Sequence, residues 1–176
     1  MRPPKGRTWG RRGDTPVVKV TAQGTKRVSM AALICTKTGR RPRLIYGIHL
    51  DRGPAEGRRK GFTETDYARL LDAAHRQLGG PVVLVWDNLN MRVRRTMQEL
   101  IAARLWLTVY QLRPYAPELN PVEGVWSHLK RSLANLTKHN LDQLTALVKT
   151  RLKRMQYRPA HIEGLIAKTG LNLQPP

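Results

Sequence analysis

The run Pro81-Val-Val-Leu-Val-Trp-Asp87 constrains this chain more than any other stretch. Five consecutive apolar residues, rich in valine and ended by an acid, read as a short strand buried on both faces. Parallel sheets covered by helices produce such strands. Gly79-Gly80 stands just before it and closes a helical pattern in which Tyr67, Leu70, Leu71, Ala74 and Leu78 share one face behind an N-cap at Thr63. A second helix is expected over 92–104 and a second strand over 106–112, so the centre of the chain reads β-α-β.

Upstream, Pro16–Ala22, Arg27–Thr36 and Arg43–Leu50 read as strands, and Arg52–Gly61 as a charged loop. Downstream, two amphipathic helices are expected over 121–136 and 141–155, with a short third over 159–168. Strands first and then β-α-β predict a mixed α/β sheet flanked by helices. The expected organisation is a basic entry segment (1–15), one catalytic domain (16–158) and a C-terminal tail (159–176).

Charge then narrows the partner. Thirty-two Lys and Arg oppose twelve Asp and Glu, a net +20 over 176 residues. Such an excess makes a polyanion, nucleic acid above all, the expected partner; a solvated basic surface stays open. Arg92, Arg94 and Arg95, Lys130 and Arg131, and the face formed by Lys149, Arg151, Lys153 and Arg154 are the candidate phosphate contacts. The single cysteine, Cys35, sits in an apolar run and reads as a buried thiol, without disulfide or zinc chemistry. No window approaches the eighteen apolar residues of a membrane span, and the basic N-terminus lacks a secretory apolar stretch, so a cytoplasmic, nucleoid-associated location is expected.

Two acids stand where chemistry is expected. Asp87 ends the apolar strand, and the carboxyl ends of such strands are where α/β sheets place ligands. Asp-Asn-Leu-Asn is also good turn chemistry, so a turn or cap role stays open. Glu123 follows a cap-and-proline start, Asn120-Pro121, and falls three residues after the cap, as in a capping box. It lies at the margin of the stripe Val122, Val125, Trp126, Leu129, Leu133 and Leu136, from which a carboxylate reaches the sheet ends. Two such carboxylates suit Mg²⁺, or Mn²⁺, which prefer oxygen ligands and serve phosphodiester chemistry. No His/Cys zinc pattern or glycine-rich phosphate loop is present, and the five histidines are scattered.

Val82-Val-Leu-Val-Trp-Asp87-Asn88, followed by Tyr115-Ala-Pro-Glu-Leu-Asn120-Pro121-Val-Glu123-Gly-Val-Trp126, resembles the DDE transposases of the mariner-like superfamily. Within it the sequence is most similar to the bacterial insertion sequence 630 family. Positions 88–122 separate the two acids, the family's interval between its second and third catalytic acids. Arg7-Thr-Trp9-x-x-x-Gly13-x-Thr15-Pro16 resembles the segment after the first. The resemblance implies a ribonuclease H-like fold, Asp87 and Glu123 as Mg²⁺ ligands, Asn88, Asn120, Pro121 and Trp126 as motif support, and DNA cleavage and joining at transposon ends. It also implies a homodimer.

The family's first acid, on a central strand before Arg7, has no counterpart here, and neither does its end-recognising helix-turn-helix. Asp14 and Asp51, in a turn and a charged loop, do not replace it. The expectation is therefore a C-terminal catalytic portion lacking its first strand, completed by an upstream transposase fragment or else an inactive remnant that only binds DNA. A rival reading is a non-enzymatic basic nucleic-acid-binding protein stacking bases on Trp9, Trp86, Trp106 and Trp126; these last three fall at positions expected to be buried, which weakens it.

Overall fold

The structure, a computed structural model, describes residues 12–13, 27–52, 61–87, 95–112, 116–134 and 141–171. The chain forms a hairpin of two strands, β1 (Arg27–Lys37) and β2 (Arg40–Asp51), then α1 (Glu64–Leu78) and β3 (Val82–Trp86). It continues through α2 (Arg95–Ala102), β4 (Leu107–Gln111), a single 3-10 turn (Pro117–Leu119), α3 (Pro121–Ser132), α4 (Leu141–Gln156) and α5 (Pro159–Ala167). The expected strand at 16–22 lies outside the described residues.

Two small sheets result. β1 and β2 pair antiparallel, with Arg27 opposite Asp51 and Leu33 opposite Ile45; β3 and β4 pair parallel, with Leu84 opposite Val109. The two pairs are not hydrogen-bonded to each other, so no continuous sheet runs across the described residues.

Each pair has its own core. On one face of the hairpin, Leu44 packs with Val125, Leu129, Val148, Leu152, Met155 and Ile162 of the last three helices. The opposite face sets Cys35 and Ile45 against Ala74 of α1. A third cluster joins Val82, Leu84, Trp86, Met97 and Leu107 to Leu71 of α1. α1 thus serves both sheets. Its start is fixed by the Asp66 carboxylate, which accepts from the Thr63 N–H (3.0 Å) and hydroxyl (2.9 Å). It ends at Gly79, whose φ of +62° suits a residue without Cβ and whose N–H reaches the His75 carbonyl at 2.8 Å. Arg104, beyond α2, clasps Asp72 of α1 with two guanidinium nitrogens at 2.7 and 2.9 Å.

Three expectations are corrected. β3 is not buried on both faces: Val82, Leu84 and Trp86 are buried, while Val83 is 64% and Val85 49% exposed. Helices α1 and α2 cover one face only, and strand alternation sends the intervening valines to the other. Asp51 is not in a loop; it is the last residue of β2, buried and ion-paired with Arg27 at 3.1 Å. The segment after residue 158 is not merely a tail, because α5 carries Ile162 and Leu165 into the first core. Gly124 makes that docking close: a Cβ there would stand 2.8 Å from Leu165 Cδ2.

Candidate active site

Asp87 directly follows β3, half-buried, where the strand's last carbonyl, that of Trp86, accepts from the Leu112 N–H at 2.8 Å. Beneath it runs a line of rings: Trp86 to Tyr67 at 5.9 Å between centroids, Tyr67 to Phe62 at 5.6 Å, Phe62 to His49 at 6.3 Å. Burial, and then the negative charges of Asp87 and Asp66, push the Tyr67 hydroxyl above the usual phenol range. Tyr67 therefore stays a protonated phenol beside Asp87, a neighbour that sequence reasoning assigned only to the helix core.

Glu123 is delivered by the N-terminus of α3. Pro117–Leu119 turns the chain, Asn120 takes an extended conformation, and Pro121 opens the helix with a preset φ. The Asn120 side-chain oxygen accepts from the Val122 N–H at 3.0 Å. That N–H can only donate, which fixes the amide's orientation. The Asn120 Nδ2 then points to Asp87 Oδ2, at 3.3 Å. One side chain thus caps the helix that carries Glu123 and donates a long hydrogen bond to Asp87.

The capping box expected at Asn120 is replaced by this arrangement. The Asn120 N–H donates to the Pro117 carbonyl at 3.1 Å, so the cap does not require the Glu123 carboxylate. Among the described residues no hydrogen bond engages that carboxylate, and it stays half-buried at the head of α3. Asp87 and Glu123 offer hard oxygen donors of the kind Mg²⁺ or Mn²⁺ takes, and the donor set fits such an ion in chemistry. It is short in number: among the described residues no three His, Cys, Asp or Glu gather in one group.

The basic candidates spread over separate surfaces. Arg95 opens α2, exposed, and pairs with Glu99 at 2.9 Å; Asn88, Arg92 and Arg94 lie outside the described residues. Lys130 and Arg131 are exposed in the last turn of α3. Lys149, Lys153 and Arg154 are exposed on α4, and Arg151 is half-buried. Trp126 is half-buried against the first core, so its place in the motif is a packing role.

The histidines are not all isolated. His75 stacks on Trp106 with centroids 4.0 Å apart, and His128 meets His161 edge-on at 4.7 Å between α3 and α5. Burial first, then the positive fields of His161, Arg131, Arg158 and Arg151, push His128 below the ordinary imidazole range. Sequence spacing gives no sign of this pair, because its members are on different helices.

No described helix is long and apolar enough to cross a membrane. A comparison with curated proteins finds no match. Among solved structures, the chain is similar to the Mos1 mariner transposase catalytic domain with raltegravir and Mn, at 13% identity and a TM-score of 0.47, covering 84% of each chain. It is also similar to the Mos1 transposase paired-end complex with the left transposon end, at 14% identity and a TM-score of 0.47, covering 98% of this chain but 52% of that one. The family model described as DDE superfamily endonuclease matches residues 1–147, most of the chain and both acids. By that match the chain belongs to the DDE superfamily of endonucleases.

Proposed function

We propose that this chain is the catalytic portion of a DNA transposase of the insertion sequence 630 type, cleaving and joining strands at element ends. Its catalytic domain takes the ribonuclease H-like arrangement of that family. The observation that supports the reading is the Asn120 side chain, which caps the helix that begins with Glu123 in its first turn and donates to the strand-end Asp87.

Asp87 and Glu123 would hold Mg²⁺ or Mn²⁺, which when bound supplies charge neutralisation for the phosphate under attack and lowers the pKa of the attacking hydroxyl. Asn120 holds Asp87 in orientation through Oδ2, leaving Oδ1 for the ion. Pro121 and the cap hold Glu123 at the head of α3. Arg131 and the α4 face hold DNA phosphates. A third carboxylate would come from an upstream fragment or from a second copy of the chain. Cytoplasmic action on nucleoid DNA follows from this role.

The test is nicking of a supercoiled plasmid and of an oligonucleotide carrying the element's ends, with Mg²⁺ and with Mn²⁺. The chain is assayed alone and joined to its upstream coding segment. Cleavage by the joined protein that disappears in Asp87→Ala and in Glu123→Ala supports the reading. Cleavage that survives both substitutions overturns it. A second reading, the inactive DNA-binding remnant, gains support only if the joined protein binds DNA and does not cut.

A further inference from the structure

Two basic hollows with aromatic residues lie one after the other along β2 and α4 and form a groove that neither acid lines. At its near end, Arg40, Arg41 and Arg43 of β2 line a hollow with Gln156 and Tyr157 of α4's end. Further along, Tyr46 and Ile48 line a second hollow with Lys149 and Lys153. The Gln156 amide fixes the two elements together by donating to the Leu44 carbonyl at 2.8 Å. Tyr157 is 72% exposed, far more than an aromatic side chain needs for packing. Tyr46 stands close enough that the Tyr157 phenol, after burial, adds to the upward shift of its hydroxyl.

The first hollow lies toward the opposite end of the hairpin from Asp87, and the second lies between the two ends. Lys37, just before β2, donates to the Leu78 carbonyl at the end of α1, whereas His49, near the end of β2, meets Phe62 beside α1's start, where Tyr67 and Asp87 sit. Arg43 to Ile48 spans five residues, roughly 17 Å of strand.

We propose that the β2–α4 groove binds single-stranded DNA, with Tyr157 stacking a base and Arg41, Arg43, Lys149 and Lys153 contacting the phosphates on either side. An exposed ring among spaced cations favours unpaired nucleotides over a duplex, because a duplex keeps its base faces stacked away from protein. The choice of DNA rests on the nuclease reading above. The groove itself does not depend on either acid.

The test measures, with the full chain in metal-free buffer at fixed salt, the affinity for a fluorescein-labelled dodecamer of thymidylate and for a hairpin duplex of equal charge. Tyr157→Ala should weaken single-strand binding by about tenfold and leave duplex binding within twofold, and Tyr157→Phe should restore it. Undiminished single-strand binding in Tyr157→Ala, an equal loss on both DNAs, or failure of Tyr157→Phe to rescue overturns the proposal. Metal-dependent cutting is scored separately through Asp87 and Glu123, so the groove and the nuclease reading can fail independently.

Discussion

Asn120 concentrates two jobs in one side chain, and they can be separated. Asn120→Ala removes the cap on α3, worth about 1 kcal/mol, and the donor to Asp87 together. Asn120→Asp keeps a cap acceptor of equal quality but puts a second carboxylate beside Asp87 where an N–H stood. The expected outcome is a lowered Tm for Asn120→Ala, a near-normal Tm for Asn120→Asp, and loss of metal-dependent cutting in both, read by thermal melts beside the nicking assay. His128 gives a different signature. Its folded-state pKa lies below the unfolded value, so the unfolded chain takes up the proton more readily and stability falls as pH drops through about 6.5. Part of that acid-side loss of Tm should vanish in His128→Gln, as melts at pH 7.5 and 5.5 would show.

At the scale of elements, the close approach of α3 and α5 depends on Gly124. Alanine there gains up to about 1 kcal/mol of helix propensity, but its Cβ meets a terminal methyl of Leu165, which must turn aside. The two effects offset, and Gly124→Ala should be close to neutral. Gly124→Leu cannot be absorbed this way and should cost roughly 1–3 kcal/mol by urea denaturation. The Asp72–Arg104 clasp is partly exposed, so Arg104→Ala should cost only about 1 kcal/mol, discounted for solvent. The hydrogen bond from Arg104 chiefly holds Asp72 below its usual carboxylate value, and this contribution is present above the unfolded pKa and lost as pH falls.

Much of the element pattern was legible because it is local. Thr63 and Gly79 mark both ends of α1, and Asn120-Pro121 marks the start of α3, through cap and turn chemistry that short stretches of sequence carry. The burial of β3 was misread for a non-local reason. Five apolar residues in a row show that both faces resist water, but not whether helices arrive to cover each of them, and none of those described covers Val83 and Val85. In the candidate site, the acids and their interval were legible. The hydrogen bond joining Asn120 to Asp87 was not, since it depends on how a strand end and a helix start meet in space.

The whole molecule carries +20, and that charge should govern how it finds DNA. Affinity for a nonspecific duplex should fall linearly with salt on logarithmic axes. Replacing a phosphate-contacting lysine such as Lys149 should lessen the slope by about one. A slope unchanged by alanine at Lys149, Lys153 and Arg154 together would remove α4 from the contact surface.

The two acids belong to different cores. Asp87 follows the β3–β4 pair, whose apolar cluster includes Trp86 and Met97; Glu123 heads α3, packed with the hairpin and the last helices. The two cores are linked through α1, which packs on the β3–β4 pair and on the hairpin's other face, and through one long hydrogen bond. Warming that loosens one body against the other would pull the acids out of register while every helix still holds its own packing. Such an enzyme would have a working ceiling below its melting point, falling silent with heat first and losing its shape only afterwards.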